Sequence, residues 1–274
     1  MIDKLLVENI EQTTPDQNVA VLLSGGVDSI SVALAAHRLG KTITAYSFCL
    51  DNEPSYDYNK AKEIAKNHNW AFVGTVIDTT KLEQDFYKLV SLGCKKKTHY
   101  ECVYPFLHVY PKIAETYVLS GWAADGYYGV SKKANIHYKH TKEKFDEFRD
   151  QYFLPENAAG YKMHKKVSDM YNKKFITPYL RMNVKNYFYS MDWYQLNQPY
   201  QKHHVRTAFN LDKDVKKHLN LQLDSKINVL FERLLNNKKI NYKGRSRVMD
   251  MVRDWPKPEG ATLNQFMIWN TNLI

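Results

Sequence analysis

The feature that most constrains the fold is a glycine-containing run between a short apolar stretch and a helix-like one. Residues 19–23 are apolar, the run Ser24-Gly25-Gly26-Val27-Asp28-Ser29 follows them, and residues 30–39 continue with a helical pattern. Two adjacent glycines let the backbone turn tightly and approach an anion with no Cβ in the way. The N–H groups and the dipole at a helix start favour negative charge there. The sequence therefore predicts a buried strand, a tight turn and a helix start that form a phosphate cradle.

The polar side chains of this run indicate what the cradle binds. Ser24 and Ser29 can add hydroxyl donors. Asp28 would repel a bare phosphate, so its presence indicates a bridging cation, most simply Mg²⁺. The run has neither the spacing nor the lysine of the Walker-type loop, G-x-x-x-x-G-K-S/T. A tight turn that merely contains Gly-Gly is the alternative, but the strand, turn and helix context favours phosphate binding.

Strand-like and helix-like segments alternate in the first half of the chain. Strands are predicted at residues 19–23, 42–48, 70–77 and 116–120, and helices at 27–39, 57–69, 80–92 and 103–115. This order predicts an α/β fold, a parallel sheet with helices on both faces. After residue 135 the predicted segments are helical, at residues 142–152, 159–173, 184–191, 202–209, 215–219 and 227–236. We therefore expect an α/β core at residues 1–135 and a mainly helical region at 136–274 packed on its substrate side.

A second polar loop follows the fourth predicted strand. It reads Ser120-Gly121-Trp122-Ala123-Ala124-Asp125-Gly126. Ligands of parallel sheets bind at the carboxyl ends of the strands. If the first and fourth strands are neighbours, Asp28 and Asp125 face one crevice, where two carboxylates suit a site for Mg²⁺ and pyrophosphate. Asp-Gly is also a common turn, so Asp125 alone does not decide between the two interpretations.

The composition of the chain is compatible with more than one class of binding partner. The formal net charge is +10, from 39 basic and 29 acidic residues, which suits either nucleic acid or a small polyanion such as ATP. The lysine pairs are scattered, as is typical of solvated faces, whereas the 20 tyrosines could stack on bases or fill pocket walls. No apolar run approaches the ~20 residues of a membrane span. The N-terminus lacks the pattern of a secretory signal, and the three cysteines have no CxxC spacing. We expect a cytoplasmic protein with no membrane partner.

Four segments together carry a family resemblance. The first run resembles the SGGxDS pyrophosphate loop of the N-type ATP pyrophosphatases, the PP-loop superfamily. The synthetase domain of asparagine synthetase and β-lactam synthetase follows SGGxDS with S-G-E-G-x-D-E, a V-P-F-L-D-like segment and a K-x-x-x-R helix. This chain has, in the same order, Ser24 to Ser29, residues 120–126, Thr177-Pro178-Tyr179-Leu180 and Lys202-His203-His204-Val205-Arg206. The resemblance covers about residues 17–210 and implies an adenine nucleotide alpha hydrolase-like fold that uses ATP and Mg²⁺.

The resemblance also implies roles for individual residues. The pyrophosphate would be held by Ser24, Gly25, Gly26, Val27, Asp28 and Ser29. Asp28 and Asp125 would bind Mg²⁺. The adenine pocket would be lined by Leu22, Ser47 and Phe48, with Gly121 close to the nucleotide. Lys202 would offset charge on the transferring α-phosphate or acyl-adenylate, and Arg206, one turn later, could grip phosphate or a substrate carboxylate.

The implied activity is that of an AMP-forming ligase. Such an enzyme adenylates a carboxylate or carbonyl oxygen with ATP, releases pyrophosphate and transfers the activated group to a nitrogen nucleophile. A PP-loop enzyme that adenylates a tRNA or DNA base is the alternative, with Cys94 or Cys102 as possible nucleophiles, and a nucleotide-binding protein without catalysis is a third.

Three departures from the family pattern bear on the acceptor. Trp122 and Gly126 replace the two glutamates of the second segment, so the resemblance does not carry aspartate over as the substrate, and Trp122 suggests an aromatic acceptor pocket. His99 or Glu101 could supply a base, although a satisfied polar turn before the helix at residue 103 is the favoured interpretation of both. Position 2 is Ile2 instead of the cysteine of a glutaminase domain. We therefore expect free ammonia, another amine or a separate partner as the nitrogen source.

Overall fold

The fold is a five-stranded parallel sheet surrounded by helices. The computed structural model describes residues 1–94, 97–152, 160–211 and 221–237. The strands are β1 Asn18–Leu22, β2 Thr42–Leu50, β3 Ala71–Ile77, β4 Tyr117–Leu119 and β5 Lys174–Ile176. Their order in the sheet is β3-β2-β1-β4-β5, and every neighbouring pair is parallel. The predicted α/β class is confirmed, and the four predicted strands lie within two residues of their observed ends.

Helices precede, separate and follow the strands. In the described residues they are α1 Ile2–Thr13, α2 Val27–Arg38, α3 Tyr56–Asn67, α4 Leu82–Ser91, α5 Lys97–Val103, α6 Phe106–Val109, α7 Ala124–Tyr128, α8 Lys142–Tyr152, α9 Tyr161–Met170, α10 Met182–Tyr189, α11 Trp193–Asn197, α12 His203–Ala208, α13 Leu221–Asp224 and α14 Ile227–Asn237. Across these residues, we find no helix with the length and apolar character that a membrane crossing requires. The predicted helix at 215–219 lies outside the described residues.

Two sequence-based expectations differ from the structure. The single helix predicted at 103–115 is wrong: α5 ends at Val103, α6 is short, and a 3₁₀ turn covers Tyr110–Lys112. Pro105 and Pro111 explain the break, because proline has no N–H to continue a helical ladder. The second difference is β5, which lies in the region predicted to be helical. It has three residues at the edge of the sheet, too few for a strand periodicity to be recognised.

Helices cover both faces of the sheet, as the alternating side chains of β1 show. Val19 and Val21 belong to one apolar cluster, whereas Ala20 and Leu22 belong to another. Successive strand side chains point to opposite faces, so the two clusters lie on the two sides of the sheet. The first cluster includes side chains of α1, α2 and α10, and the second includes side chains of α4, α5, α9 and α14. Helices on both faces are thereby confirmed.

The strand order determines where a ligand crevice can form. From β1 the chain moves outwards to β2 and β3, and then returns to the other side of β1 for β4 and β5. The pairing of Val21 with Leu119 sets the carboxyl ends of β1 and β4 side by side. A reversal of this kind opens a crevice at the carboxyl ends of the two central strands. Asp28 and Asp125 were expected to face one crevice if the first and fourth predicted strands were neighbours. That condition is met, because β1 and β4 are adjacent.

Candidate active site

The glycine loop between β1 and α2 is braced by its two serines. The Ser24 N–H donates to the Ser29 hydroxyl oxygen at 3.1 Å, and that hydroxyl donates to the Gly26 carbonyl at 3.0 Å. The two hydroxyl oxygens lie 3.1 Å apart. Gly25 has φ +71°, a left-handed conformation in which a side chain is strained. The loop is thus held in the tight turn that the sequence predicted.

The loop after β4 packs directly on the first turn of α2. A Cβ built on Gly121 would lie 2.5 Å from the carbonyl carbon of Asp28 and 2.7 Å from the Ser29 nitrogen. Both contacts are with backbone atoms, which cannot rotate away, so only glycine fits this position. Gly121 therefore lets the two predicted site loops meet.

Three predicted site residues meet in this crevice. Asp28 lies in the first turn of α2, Asp125 in the first turn of α7, and Lys202 immediately before α12. The Lys202 Nζ lies 2.7 Å from Asp28 Oδ2 and 2.5 Å from Asp125 Oδ1. The side chain of Lys202 is 8% exposed, whereas that of Asp125 is 65% exposed. The ammonium thus joins a carboxylate on the buried side of the crevice to one on its open side.

Electrostatics keep this lysine charged. Burial lowers the pKa of Lys202, but Asp125 and Asp28 raise it by more, so that the net pKa lies above its ordinary value. A neutral amine would leave two carboxylates facing each other without a cation. Lys202 is therefore an ammonium at any physiological pH.

Two tyrosines support the lysine and the aspartate that it contacts. The Tyr179 hydroxyl lies 2.8 Å from the Ser31 hydroxyl oxygen, and Ser31 donates to the backbone carbonyl of Asp28 at 2.8 Å. The ring of Tyr128 lies 5.7 Å from the Lys202 Nζ, within the range of a cation–π contact. Burial raises the pKa of both tyrosines, so both are neutral. The sequence had marked the segment around Tyr179 through resemblance alone; the structure shows that it braces the first turn of α2.

The other predicted residues lie around this centre. Arg206 lies in α12; its backbone N–H donates to the Lys202 carbonyl at 3.1 Å, and its guanidinium carbon lies 5.9 Å from the Tyr200 ring centre. Ser47 and Phe48 lie on β2, next to β1. Consecutive strand side chains point to opposite faces, so only one of these two side chains can line a pocket on a given face. Their adenine role, and the catalytic role of Arg206, stay predictions.

The wall beyond the β4 loop is aromatic. The Trp122 ring lies 5.0 Å from the His164 ring and 6.3 Å from the Phe175 ring, measured between centroids. His164 is fully buried, and burial lowers its pKa to about 3. The imidazole is therefore neutral. Trp122, which replaces an acidic residue of the family, therefore packs against uncharged rings.

The remaining candidate side chains of this region are two polar residues of α5 and two cysteines. His99 and Glu101 are two residues apart on α5, so they point to different sides of the helix and cannot serve one site together. Cys94 is buried, and burial raises the pKa of its thiol, which disfavours the thiolate that a nucleophile needs. Cys102 is partly buried.

A comparison with known protein families identifies a family for this chain. A sequence model of the family described as asparagine synthase matches residues 1–228. A search of curated protein sequences finds no match. Among solved structures, the chain is similar to a predicted subunit of tRNA methyltransferase from Methanocaldococcus jannaschii. That alignment has a TM-score of 0.35 and 16% identity, and it covers 63% of this chain and 74% of the other.

Proposed function

Since this chain belongs to the asparagine synthase family of the PP-loop superfamily, whose members are ATP-dependent synthetases, we propose that it is an AMP-forming, amide-forming ligase. The carboxyl ends of β1 and β4 would bind ATP, and the substrate would be a carboxylate or carbonyl oxygen. One observation carries the proposal: Lys202 bridges Asp28 and Asp125 at the point where the strand order reverses.

The reaction has two steps. In the first, a substrate oxygen forms a bond to the α-phosphorus of ATP while the bond from that phosphorus to the pyrophosphate oxygen breaks. In the second, a nitrogen nucleophile attacks the activated carbon and loses a proton, and AMP leaves with the bonding electron pair. The cost of forming the amide is met by cleavage of ATP to AMP and pyrophosphate.

The loop and its surroundings would bind the nucleotide. The pyrophosphate would lie against the loop of Ser24, Gly25, Gly26, Val27, Asp28 and Ser29, which is a tight turn at the start of α2. Leu22, at the end of β1, and either Ser47 or Phe48 would contact the adenine. Residues 1–135 would form the ATP-binding core and residues 136–274 the substrate side.

Lys202 and Arg206 would act on the transferring group. A lysine beside the α-phosphate stabilises the negative charge that grows on it in the transition state. Lys202 is charged and lies beside the phosphate loop through its contact with Asp28. Arg206 lies one turn further along α12 and would bind phosphate or the substrate carboxylate.

The donors at this site fit Mg²⁺. Asp28 and Asp125 each place a carboxylate oxygen within hydrogen-bond distance of one ammonium, so the two oxygens converge on a single cation position. Hard oxygen ligands are those that Mg²⁺ prefers. The described residues contain no group of three His, Cys, Asp or Glu side chains that could hold a metal ion, and a magnesium ion bound by one or two carboxylates usually completes its shell with phosphates and water. When bound, Mg²⁺ would neutralise charge on the phosphates.

The acceptor side supports a substrate other than aspartate. The rings of His164 and Phe175 that pack on Trp122 are uncharged, which favours a substrate with an aromatic or apolar group beside the reacting oxygen. The nitrogen would come from ammonia, another amine or a separate partner, and the enzyme would work in the cytoplasm. A nucleic-acid base is the second candidate acceptor, favoured by the net charge of +10.

Exchange of labelled pyrophosphate into ATP tests the proposal. We expect exchange that depends on an added carboxylic acid, and loss of at least 100-fold in Asp28→Asn. Asp169→Asn is the matched control, because Asp169 forms an exposed ion pair with Lys165 on α9. Full exchange in Asp28→Asn would contradict the mechanism. Exchange supported by tRNA alone, weakening steeply with salt, would favour the second candidate.

A further inference from the structure

We infer that Asn197 is a positioning residue that fixes the Lys202 ammonium between the two aspartates. This inference rests on the proposed function, because it concerns the lysine to which that function gives a catalytic role. Asn197 is the last residue of α11, and it is 4% exposed. No sequence pattern singles it out, since it lies in none of the four segments that resemble the family.

The side chain of Asn197 joins three parts of the chain. Its Oδ1 accepts a hydrogen bond from the Lys202 backbone N–H at 3.1 Å. Its Nδ2 donates to the Tyr128 carbonyl at 2.8 Å and to the Trp193 carbonyl at 3.1 Å. Tyr128 ends α7, the same short helix that carries Asp125 in its first turn. The Asn197 carboxamide therefore links the backbone of Lys202 to α7, the helix that carries Asp125.

The backbone of Lys202 needs this support. Its φ is 60° and its ψ 28°, the left-handed conformation, which is uncommon for a residue with a Cβ. Such conformations persist where the surroundings hold them, and they occur often at functional sites. The hydrogen bond from the Lys202 N–H to Asn197 is buried, so without Asn197 that N–H would lack its acceptor where water has little access.

The left-handed turn also sets the direction of the lysine side chain. It allows α12 to start at His203 while the Lys202 Nζ reaches Asp28, 174 residues earlier in the chain. If the backbone at Lys202 relaxes to a right-handed or extended conformation, the ammonium moves away from both carboxylates. Displacement of a catalytic group by about 1 Å can lower a rate by about 100-fold.

The test compares variants at two buried asparagines. Asn197→Ala removes all three hydrogen bonds, and Asn197→Asp keeps the shape and an oxygen for the Lys202 N–H. Asn9→Ala is the matched control: Asn9 is also buried, and its Nδ2 donates to the Pro178 carbonyl at 3.1 Å and to the Asn183 side chain at 3.0 Å. The measurements are the maximal pyrophosphate exchange rate per folded molecule and the KM for ATP.

We expect the maximal rate of Asn197→Ala to fall by about 10- to 100-fold, with the KM for ATP changed by less than about 3-fold. Asn197→Asp should retain more of the rate, and Asn9→Ala should stay within about 2-fold of the unmodified protein. If Asn197 acts through Lys202, then adding Asn197→Ala to Lys202→Gln should lower the rate no further. If the two substitutions instead lowered the exchange rate by independent factors that multiply, the inference would be overturned.

A structural measurement separates this inference from the proposed function. If the unmodified protein exchanges no pyrophosphate with any acid, the proposed function fails, and a crystal structure of the Asn197 variant decides the inference alone. We expect Lys202 to leave the left-handed conformation and its Nζ to lose at least one carboxylate. A Lys202 that still contacts both Asp28 and Asp125 would refute the positioning role. If Asn197→Ala does not fold, the same comparison is made on Asn197→Asp, where loss of the donor to Tyr128 should shift α7 relative to Lys202.

Discussion

Replacement of Lys202 by glutamine should make the nucleotide-free protein bind a divalent cation more tightly. The ammonium lies 2.7 Å from Asp28 Oδ2 and 2.5 Å from Asp125 Oδ1, where a metal shared by these carboxylates would also lie. A divalent cation must therefore displace the ammonium or share its partners. Glutamine is one bond shorter than lysine and carries no charge, so it removes the competing cation and leaves both carboxylates in place.

The size of the effect follows from the distances. The two carboxylate oxygens can be no further apart than about 5 Å, and two unit charges at that separation repel by about 3 kcal/mol at an effective dielectric constant of about 20. Asp125 is 65% exposed, so solvent screens much of this repulsion. We therefore expect Lys202→Gln to gain about 1.4 kcal/mol in the free energy of cation binding, which corresponds to a dissociation constant about tenfold lower.

Mn²⁺ is a suitable probe, because paramagnetic resonance counts the free ion and titration calorimetry gives an independent constant. Both are measured without nucleotide. Lys202→Arg keeps the charge and should bind Mn²⁺ as weakly as the unmodified protein, and Lys165→Gln controls for loss of a surface lysine. Adding Asp125→Asn to Lys202→Gln should reverse the gain. If Lys202→Gln binds Mn²⁺ no more tightly than the unmodified protein, then the lysine and the metal do not compete for these carboxylates, and the reasoning is refuted.

Three further predictions concern the support of the site. Gly121→Ala should destabilise the protein by about 1–3 kcal/mol in urea unfolding, because the added Cβ would lie 2.6 Å from the Asp28 carbonyl oxygen; a stability equal to that of the unmodified protein would contradict the close packing of the two loops. Tyr179→Phe should cost about 1 kcal/mol in the unmodified protein and little in Ser31→Ala, which has already lost that hydrogen bond together with the one to the Asp28 carbonyl; fully additive costs would show that the bond between the two side chains contributes nothing. Burial lowers the pKa of His164 from 6.5 to about 3. The unfolded chain therefore binds one more proton between these values, and stability should fall by up to about 1.4 kcal/mol per pH unit below pH ~6.5. His164→Leu should flatten that slope between pH 7 and pH 5, and an unchanged slope would assign the acid sensitivity to other groups.

The part of the site that the sequence predicts best is the part determined by local backbone chemistry. Gly25 follows an apolar strand and precedes a helix, and its φ of +71° lies in the left-handed region that favours glycine. Alternation of strands and helices predicted the parallel sheet, because the crossover between parallel strands is usually an α-helix. The neighbouring position of β1 and β4 was only a condition at that point, since strand order depends on contacts between distant residues.

The parts that the sequence does not predict depend on such distant contacts. Lys202 was recognised only because Lys202 and Arg206 resemble the K-x-x-x-R helix of the family, and that resemblance implied a phosphate contact and gave no sign of Asp28 and Asp125 as its partners. Asn197 carries no pattern at all: a buried asparagine is identified by the backbone groups that it satisfies, and those belong to α7, to its own helix α11 and to the residue before α12. The strand β5 is recognised only by its pairing with β4.

The two aspartates require a nearby positive charge, and more than one group can provide it. From the sequence, two carboxylates expected at one crevice require a cation, because like charges at short range in a partly buried place cannot both stay ionised without one. That argument leads to Mg²⁺ when only the two acids are known. The structure supplies a second cation, the Lys202 ammonium, at hydrogen-bond distance from both acids. The requirement for positive charge is therefore satisfied by the chain itself, and a metal that binds here must offer the carboxylates more than the lysine already does. The phosphate oxygens of a bound nucleotide would provide that advantage, because they would also give the displaced ammonium a new negative partner.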